Sequence, residues 1–299
     1  MIYTVTLNPC LDYVTGTDGL KIGELNRTSF EEIYVGGKGI NVSLILKELG
    51  CESVCLGFVA GFVGAAIEGY LKESGVKTDF IRLSGGNSRI NVKIKSGVET
   101  EINARGPYIS EEERNAFFDK LEILSKGDYI IISGSVPPSL PDDIYETILK
   151  HIENKGVRTV IDASGALLDK TLKYRPFLIK PNNTELGELF GVEIKTAEDA
   201  EPYARKLKEQ GAENVLVSLG KEGALLIDKE GRALKMPAFD GVVVNTVGAG
   251  DSMVAGFVAG MISGNGERAL RLGCACGGAT AFLPGLAKKE DIEKLFGKL

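Results

Sequence analysis

The chain has 299 residues, 43% of them hydrophobic and 25% charged, a balance that supports one large core and excludes an intrinsically disordered protein. A formal net charge of −6 argues against a general nucleic-acid binder, which needs a clustered basic surface, so a phosphorylated ligand has to be met by a few local groups. No run of roughly 18 apolar residues marks a membrane span, and Met1-Ile2-Tyr3-Thr4-Val5 lacks the basic start of a secretory signal. The expected location is cytoplasmic, with no membrane partner.

In chain order, short β-branched runs at residues 3–7, 53–59, 129–133, 159–162, 177–180 and 215–219 predict buried strands. Helical patterns at 38–50, 62–75, 111–125, 141–155, 184–190 and 197–211 lie between them, an alternation that predicts a mainly parallel sheet covered by helices on both faces. The last third changes character, with an apolar strand-like run at Val242-Val243-Val244 and two long helical patterns at 249–263 and 266–283. Two stretches break the rhythm. Residues 28–35, and 89–95 with 99–104, alternate polar and apolar side chains, and Ser96-Gly97 supplies a turn between the latter pair. They predict a small antiparallel sheet inserted twice into the larger fold, either a lid over the strand ends or an extension of an edge. The expected division is a core of 1–9, 38–86 and 107–299, and a discontinuous lid of 10–37 and 87–106.

Five cysteines, Cys10, Cys51, Cys55, Cys274 and Cys276, are an odd number without a Cys-x-x-Cys pair, so neither a disulfide framework nor a zinc site is expected. The single histidine, His151, lies in a helical pattern ahead of Asn154 and Gly156 and reads as part of a helix end. A catalytic base must then be a carboxylate, a lysine or a thiol.

The most informative stretch is Thr246-Val247-Gly248-Ala249-Gly250-Asp251-Ser252. Two glycines around an alanine let backbone N–H groups crowd a ligand oxygen, and the helix that follows adds its positive N-terminal end. Asp251 falls in the first helical turn, where it can take a proton from a nearby hydroxyl. Together they read as phosphoryl transfer to an alcohol; a purely structural strand–helix turn is the alternative. A dinucleotide fingerprint would need glycine where Met253 stands.

Gly36-Gly37-Lys38-Gly39-Ile40-Asn41 opens a helix without Walker A spacing. Lys38 and Asn41 share one face near its start, which suits a polar or anionic substrate or a solvated lysine after a glycine turn. Asn182 and Glu185 have capping-box spacing, and the same amide and carboxylate can orient waters around Mg²⁺; the two roles are compatible. Lys180 just before them projects toward a strand's C-terminal end, where open α/β folds place ligands. Ser218-Leu219-Gly220-Lys221-Glu222-Gly223 admits either a bulky ligand against the backbone or a hairpin turn. The small-sided helix Gly273-Cys274-Ala275-Cys276-Gly277-Gly278-Ala279 suits close helix packing, or room for an adenine ring.

As a set these motifs resemble those of the PfkB, or ribokinase-like, carbohydrate kinases, through essentially the whole chain. The resemblance implies a three-layer α/β/α fold with a small β-sheet lid, ATP and Mg²⁺ as cofactors, a base at Asp251, and an anion hole made by Gly248, Ala249 and Gly250. It is closest to the hexose-phosphate branch, on Thr6-Leu7-Asn8-Pro9-Cys10-Leu11-Asp12, Arg89-Ile90-Asn91-Val92-Lys93 and Thr100-Glu101-Ile102-Asn103-Ala104-Arg105-Gly106-Pro107. By that similarity Asp12 holds sugar hydroxyls with Gly37, Lys38 and Asn41 alongside, and Arg89, Asn91, Lys38 and Arg105 surround a phosphate already on the substrate. Ser135 and Lys180 fall at ligand-facing positions. Ser218, Gly220, Gly223 and Gly250 meet the nucleotide, and Asn182 and Glu185 serve Mg²⁺ through water. The implied reaction is ATP-dependent phosphorylation of D-fructose 1-phosphate at its 6-hydroxyl. Action on tagatose 6-phosphate or fructose 6-phosphate, and a catalytically silent sugar-phosphate sensor, are the alternatives. The partners implied are a small sugar phosphate and a second copy paired through the lid, with no nucleic acid. Asn245 stands where many sugar kinases of the ribokinase branch have an Asp at a monovalent-cation site, so potassium activation is not expected.

Overall fold

The computed structural model describes residues 1–298. The chain begins in the middle of its main sheet with β1 (Ile2–Thr6), buried throughout, and leaves it for β2 (Cys10–Gly16) and β3 (Phe30–Gly36). It returns through α1 (Lys38–Glu48), β4 (Ser53–Val59), α2 (Gly61–Glu73) and two short strands, β5 (Lys77–Thr78) and β6 (Ile81–Arg82). A second excursion makes β7 (Arg89–Ser96) and β8 (Val98–Ile102). Strand–helix alternation then resumes with α3 (Glu111–Lys120), β9 (Tyr129–Ser133), α4 (Ile144–Ile152), β10 (Arg158–Asp162), α5 (Gly165–Asp169) and β11 (Leu178–Ile179). It continues through α6 (Asn183–Phe190), α7 (Ala197–Glu209), β12 (Asn214–Ser218), β13 (Ala224–Ile227) and β14 (Ala233–Met236). Three helices close the chain: α8 (Ala249–Ser263), α9 (Gly266–Ala281) and α10 (Lys289–Phe296).

The main sheet runs β14-β13-β12-β11-β10-β9-β1-β4-β5, with β6 added to β4. Pairing is parallel from β12 to β5 and antiparallel along β12-β13-β14. The antiparallel edge is absent from the sequence reading, because Gly220 and Gly223 read equally well as a ligand loop and as the hairpin they form. Successive residues serve opposite cores, as the pleat requires. Val5, Ile130, Ile132, Ile161 and Val217 pack toward α3, α4, α6 and α7, whereas Ile131, Val160, Leu178 and Leu216 pack toward α1, α8, α9 and α10. Both faces are covered, which is what continuous apolar strands demand. The small side chains of α9 allow its close packing on α8, since Cys274, Ala275, Cys276 and Gly277 are all buried.

The second sheet runs β3-β2-β7-β8. The expected pattern there is antiparallel throughout, and this is corrected: β2 and β7 pair in parallel, with Asp12 beside Asn91. The two strands follow main-sheet strands β1 and β6 in the chain, so they run the same way. Strand order in the main sheet proceeds from β1 to β4 on one side and from β9 to β12 on the other. Such a reversal opens a crevice at the C-terminal strand ends, and the small sheet borders it.

Candidate active site

Helix α8 begins at that crevice. The strand expected at Val242-Val243-Val244 does not form; Val244 and Asn245 donate their N–H groups to the Ala281 carbonyl at the end of α9, and all three valines are exposed. β14 ends the main sheet, and this segment adds no strand to it. Gly248 then caps α8 with φ +80°, a left-handed conformation that costs glycine little. Of the turn's amides, that of Ala249 donates to the Thr246 carbonyl at 3.2 Å. Among the described residues, Gly250 and Asp251 keep first-turn donors available for an anion.

Asp251 is 6% exposed and its Oδ2 accepts a hydrogen bond from Asn41 Nδ2 at 2.8 Å. Burial, and after it the charge of Asp162, push its carboxyl up to about 6, with Asn41, Lys38 and Lys180 pulling the other way. A carboxyl in that range is mostly ionised at neutral pH yet a stronger base than an ordinary carboxylate, which suits proton abstraction.

Asp162, at the end of β10, is 2% exposed. Its Oδ2 lies 3.2 Å from Lys38 Nζ and its Oδ1 3.3 Å from Lys180 Nζ. Burial alone would raise this carboxyl, but Lys180 and Lys38 hold it below its ordinary value. The Lys38 ammonium, which burial would weaken, is instead raised by Asp162 and Asp251. Lys180 reaches the glycine turn as well, since a Cβ built on Gly250 would meet its Nζ at 3.2 Å.

The small sheet brings Asp12 to the other side of the crevice. Asp12 Oδ1 accepts from Asn91 Nδ2 at 2.8 Å and from the Cys10 thiol at 3.3 Å, while Lys93 Nζ stands 4.0 Å from Oδ2. Burial and the neighbouring Asp12 push that thiol up to about 12, so Cys10 is a hydrogen-bond donor and not a nucleophile. Arg89 donates from Nε and Nη2 to the Asn8 carbonyl at 3.1 and 2.6 Å, which orients its guanidinium.

These groups line one cleft of about 1650 Å³. The cleft takes in Asp12, Gly37, Lys38, Asn41, Arg89, Ser135, Lys180, Asn182, Glu185, Ser218, Gly220, Gly223 and the Gly248–Asp251 turn. Two of the residues singled out from the sequence are placed differently. Asn91 is buried behind Asp12 and also accepts from the Ala104 amide, so it supports the carboxylate and does not border the cleft. Arg105 is exposed outside it, with its backbone carbonyl bonded to Asn8 Nδ2. Gly223 is accounted for by packing: with φ +92°, an added Cβ would lie 2.0 Å from the Met236 carbonyl oxygen.

Asn182 and Glu185 do form a capping box at the start of α6. Asn182 Oδ1 accepts from Glu185 N at 2.8 Å and Glu185 Oε2 from Asn182 N at 2.9 Å. No cluster of three or more His, Cys, Asp or Glu suited to a metal occurs among the described residues. Asn245 Nδ2 donates to the Pro284 carbonyl at 2.8 Å. His151 pairs with Glu122 at 2.7 Å, and neither residue lines the cleft.

Sequence reasoning missed Asp162 and Lys93. Lys93 was within reach, because Arg89, Asn91, Lys93 and Lys95 share one face of β7 by strand periodicity. Asp162 carries no local signal; it ends an apolar strand like many others.

A family model described as pfkB family carbohydrate kinase matches residues 5–292. The chain belongs to this family. It is therefore an ATP-dependent sugar kinase, with the ribokinase-like fold expected from the sequence. Among its relatives, 1-phosphofructokinase of Bacillus subtilis is 48% identical across 99% of this chain and 97% of that protein. D-tagatose-1-phosphate kinase of Bacillus licheniformis is 40% identical across 99% and 96%. The crystal structure of phosphofructokinase-2 from Escherichia coli in complex with fructose-6-phosphate superposes with a TM-score of 0.91 at 27% identity, covering 100% of this chain and 98% of that one. In this PfkB chain no helix among the described residues is long and apolar enough to cross a membrane.

Proposed function

We propose that this kinase transfers the terminal phosphoryl group of ATP to the 6-hydroxyl of D-fructose 1-phosphate, giving fructose 1,6-bisphosphate. The observation that carries the reading is the buried Asp251 carboxylate, held by Asn41 beside the glycine turn and facing a cleft with Lys38, Lys180, Arg89 and Lys93 on its walls. So many cations suit an acceptor that already bears phosphate. The full-length similarity to a 1-phosphofructokinase supports the choice of sugar.

In this reading Asp251 takes the proton of the 6-hydroxyl as the oxygen attacks phosphorus, and Asn41 orients the carboxylate. Asp12, backed by Asn91, accepts from sugar hydroxyls. Gly250 and Asp251 amides, with the Lys180 ammonium, face the charge on the moving phosphoryl group, where preorganised donors act most strongly. Ser218, Gly220 and the α9 positions Cys274, Gly277 and Gly278 border the nucleotide end of the cleft. Mg²⁺ fits the donor set at Asn182 and Glu185: one carboxylate oxygen stays free of the capping box, and Mg²⁺ keeps most of its waters and shares nucleotide phosphates. When bound, it would neutralise charge on those phosphates.

The small sheet acts as a lid that excludes competing water. Its outer face carries Ile33, Ile90 and Ile102, which are 64%, 41% and 60% exposed and share one side through their register with Leu11, Tyr13 and Val92. Such a face suits pairing of two lids in a homodimer.

D-tagatose 1-phosphate is the second reading, favoured by the 40% identical kinase of that name; it differs from fructose 1-phosphate at one stereocentre. A coupled assay of ADP release should rank fructose 1-phosphate above tagatose 1-phosphate, fructose 6-phosphate, tagatose 6-phosphate and unphosphorylated sugars by kcat/KM. A different leading substrate refutes the choice of sugar. No sugar-dependent ADP release with any of them refutes the kinase mechanism and favours a sensor.

A further inference from the structure

The mechanism above gives Asp162 no part, yet it is among the most buried carboxylates and touches two cleft cations. We propose that Asp162 is a positioning residue for phosphoryl transfer: its two oxygens hold Lys38 and Lys180 in fixed places on either side of the reacting centre. The proposal rests on the kinase reading with Asp251 as the base.

Each lysine has its own oxygen, Lys38 on Oδ2 at 3.2 Å and Lys180 on Oδ1 at 3.3 Å. The lysines come from different parts of the chain, one opening α1 and one following β11, so no local element sets their separation. Asp162 does so from the end of the strand between them. A lysine is a point charge on a flexible stem, and stabilisation of developing charge is strongest when the donor is already in place. Lys180 is only 4% exposed, and without a counter-charge a buried ammonium is strongly disfavoured. Its Nζ lies against Gly250, at the turn that faces the phosphoryl group. Lys38 retains 40% of its side-chain exposure, so its ammonium is tethered from below and open to the cleft above.

Asp162 also acts on the base. The charged and polar groups facing Asp251 are Lys38 and Asn41 from α1, Asp162 from β10 and Lys180 after β11; Asp162 is the one anion among them. Its charge raises the proton affinity of the Asp251 carboxylate, so the ionised base takes a proton more readily than an ordinary carboxylate would.

The test is a double-mutant cycle in kcat with saturating substrates. Asp162→Asn should lower kcat by about 100-fold, the loss expected on disturbing preorganised electrostatics. In a Lys180→Met background the same change should cost less than about tenfold, because one arm through which it acts is gone. Comparing Lys180→Met with the Asp162→Asn/Lys180→Met double variant holds even if Asp162→Asn alone fails to fold, since the double variant leaves no unpaired partner at Lys180. A further loss of about 100-fold in that background overturns the proposal. The acid limb of the kcat profile should move to lower pH in Asp162→Asn, and a limb that stays in place with reduced kcat marks a merely structural role. Recovery of Asp162→Asn turnover at raised Mg²⁺ makes Asp162 a metal ligand and also overturns it. Failure of the underlying kinase reading shows separately, as a wild-type protein that releases no ADP with any sugar phosphate.

Discussion

Replacing Asp251 by Asn should abolish most turnover and at the same time make the ligand-free protein more stable. Burial and the nearby Asp162 charge raise the Asp251 carboxyl from 3.8 to about 6. A displacement of roughly 2 pKa units means that ionising Asp251 costs the folded state about 3 kcal/mol relative to the unfolded chain. The folded protein holds this proton more tightly, so between about pH 4 and pH 6 it binds more protons than the unfolded chain does, and stability falls as pH rises through that window. Above about pH 6 the penalty is complete; below about pH 4 both states carry the proton and it vanishes. Asn keeps the shape of Asp251 and an oxygen to accept from Asn41, without the charge. Denaturant and thermal unfolding of the ligand-free proteins should therefore show the variant about 3 kcal/mol more stable at pH 8, or about 5 °C higher in Tm for a chain of this size. The gap should close near pH 4. In the coupled assay kcat should fall by roughly 10²–10⁴-fold, the usual contribution of a general base. A variant no more stable than wild type at pH 8, or a gain that does not change with pH, would refute the argument that the fold holds this carboxylate ionised at a cost.

Three further outcomes follow from the same geometry. Lys93→Met removes the cation 4.0 Å from Asp12 and should raise KM for the sugar phosphate by about tenfold, as loss of one charge-assisted contact implies, with KM for ATP unchanged in steady-state titrations. Exchange of sodium for potassium should leave kcat within about twofold, because the Asn245 amide already donates to the Pro284 carbonyl and one tenfold step in rate would need a contact worth about 1.4 kcal/mol. Ile33→Glu places a charge on the exposed apolar face of the small sheet; if two lids pair as proposed, sedimentation analysis should show wild type as a dimer and the variant as a monomer.

The parts of the site legible in the sequence are those where one short segment builds its own geometry. Gly248, Gly250 and Asp251 are such a group, because a left-handed cap, a close-packed turn and a first-turn carboxylate all follow from seven consecutive residues. Lys38 with Asn41, and Asn182 with Glu185, are legible for the same reason: helix periodicity alone sets their spacing. Where the outcome depends on which strand lies beside which, the local pattern is silent. Val242-Val243-Val244 has the composition of a strand, yet it joins neither sheet. Arg105 follows β8 in a segment whose direction no periodicity sets, and it turns outward. Asp162 is the sharpest case, since its role comes from Lys38 and Lys180 meeting it across α1, β10 and β11. Yet the strand order carries a usable rule. Thr6, Ser133 and Asp162 end β1, β9 and β10 in one register, and Lys180 and Ser218 follow at β11 and β12. Once a parallel sheet with a reversal at β1 and β9 is accepted, the residue closing each strand is a candidate for the cleft, and that rule selects Asp162 before any side-chain contact is known.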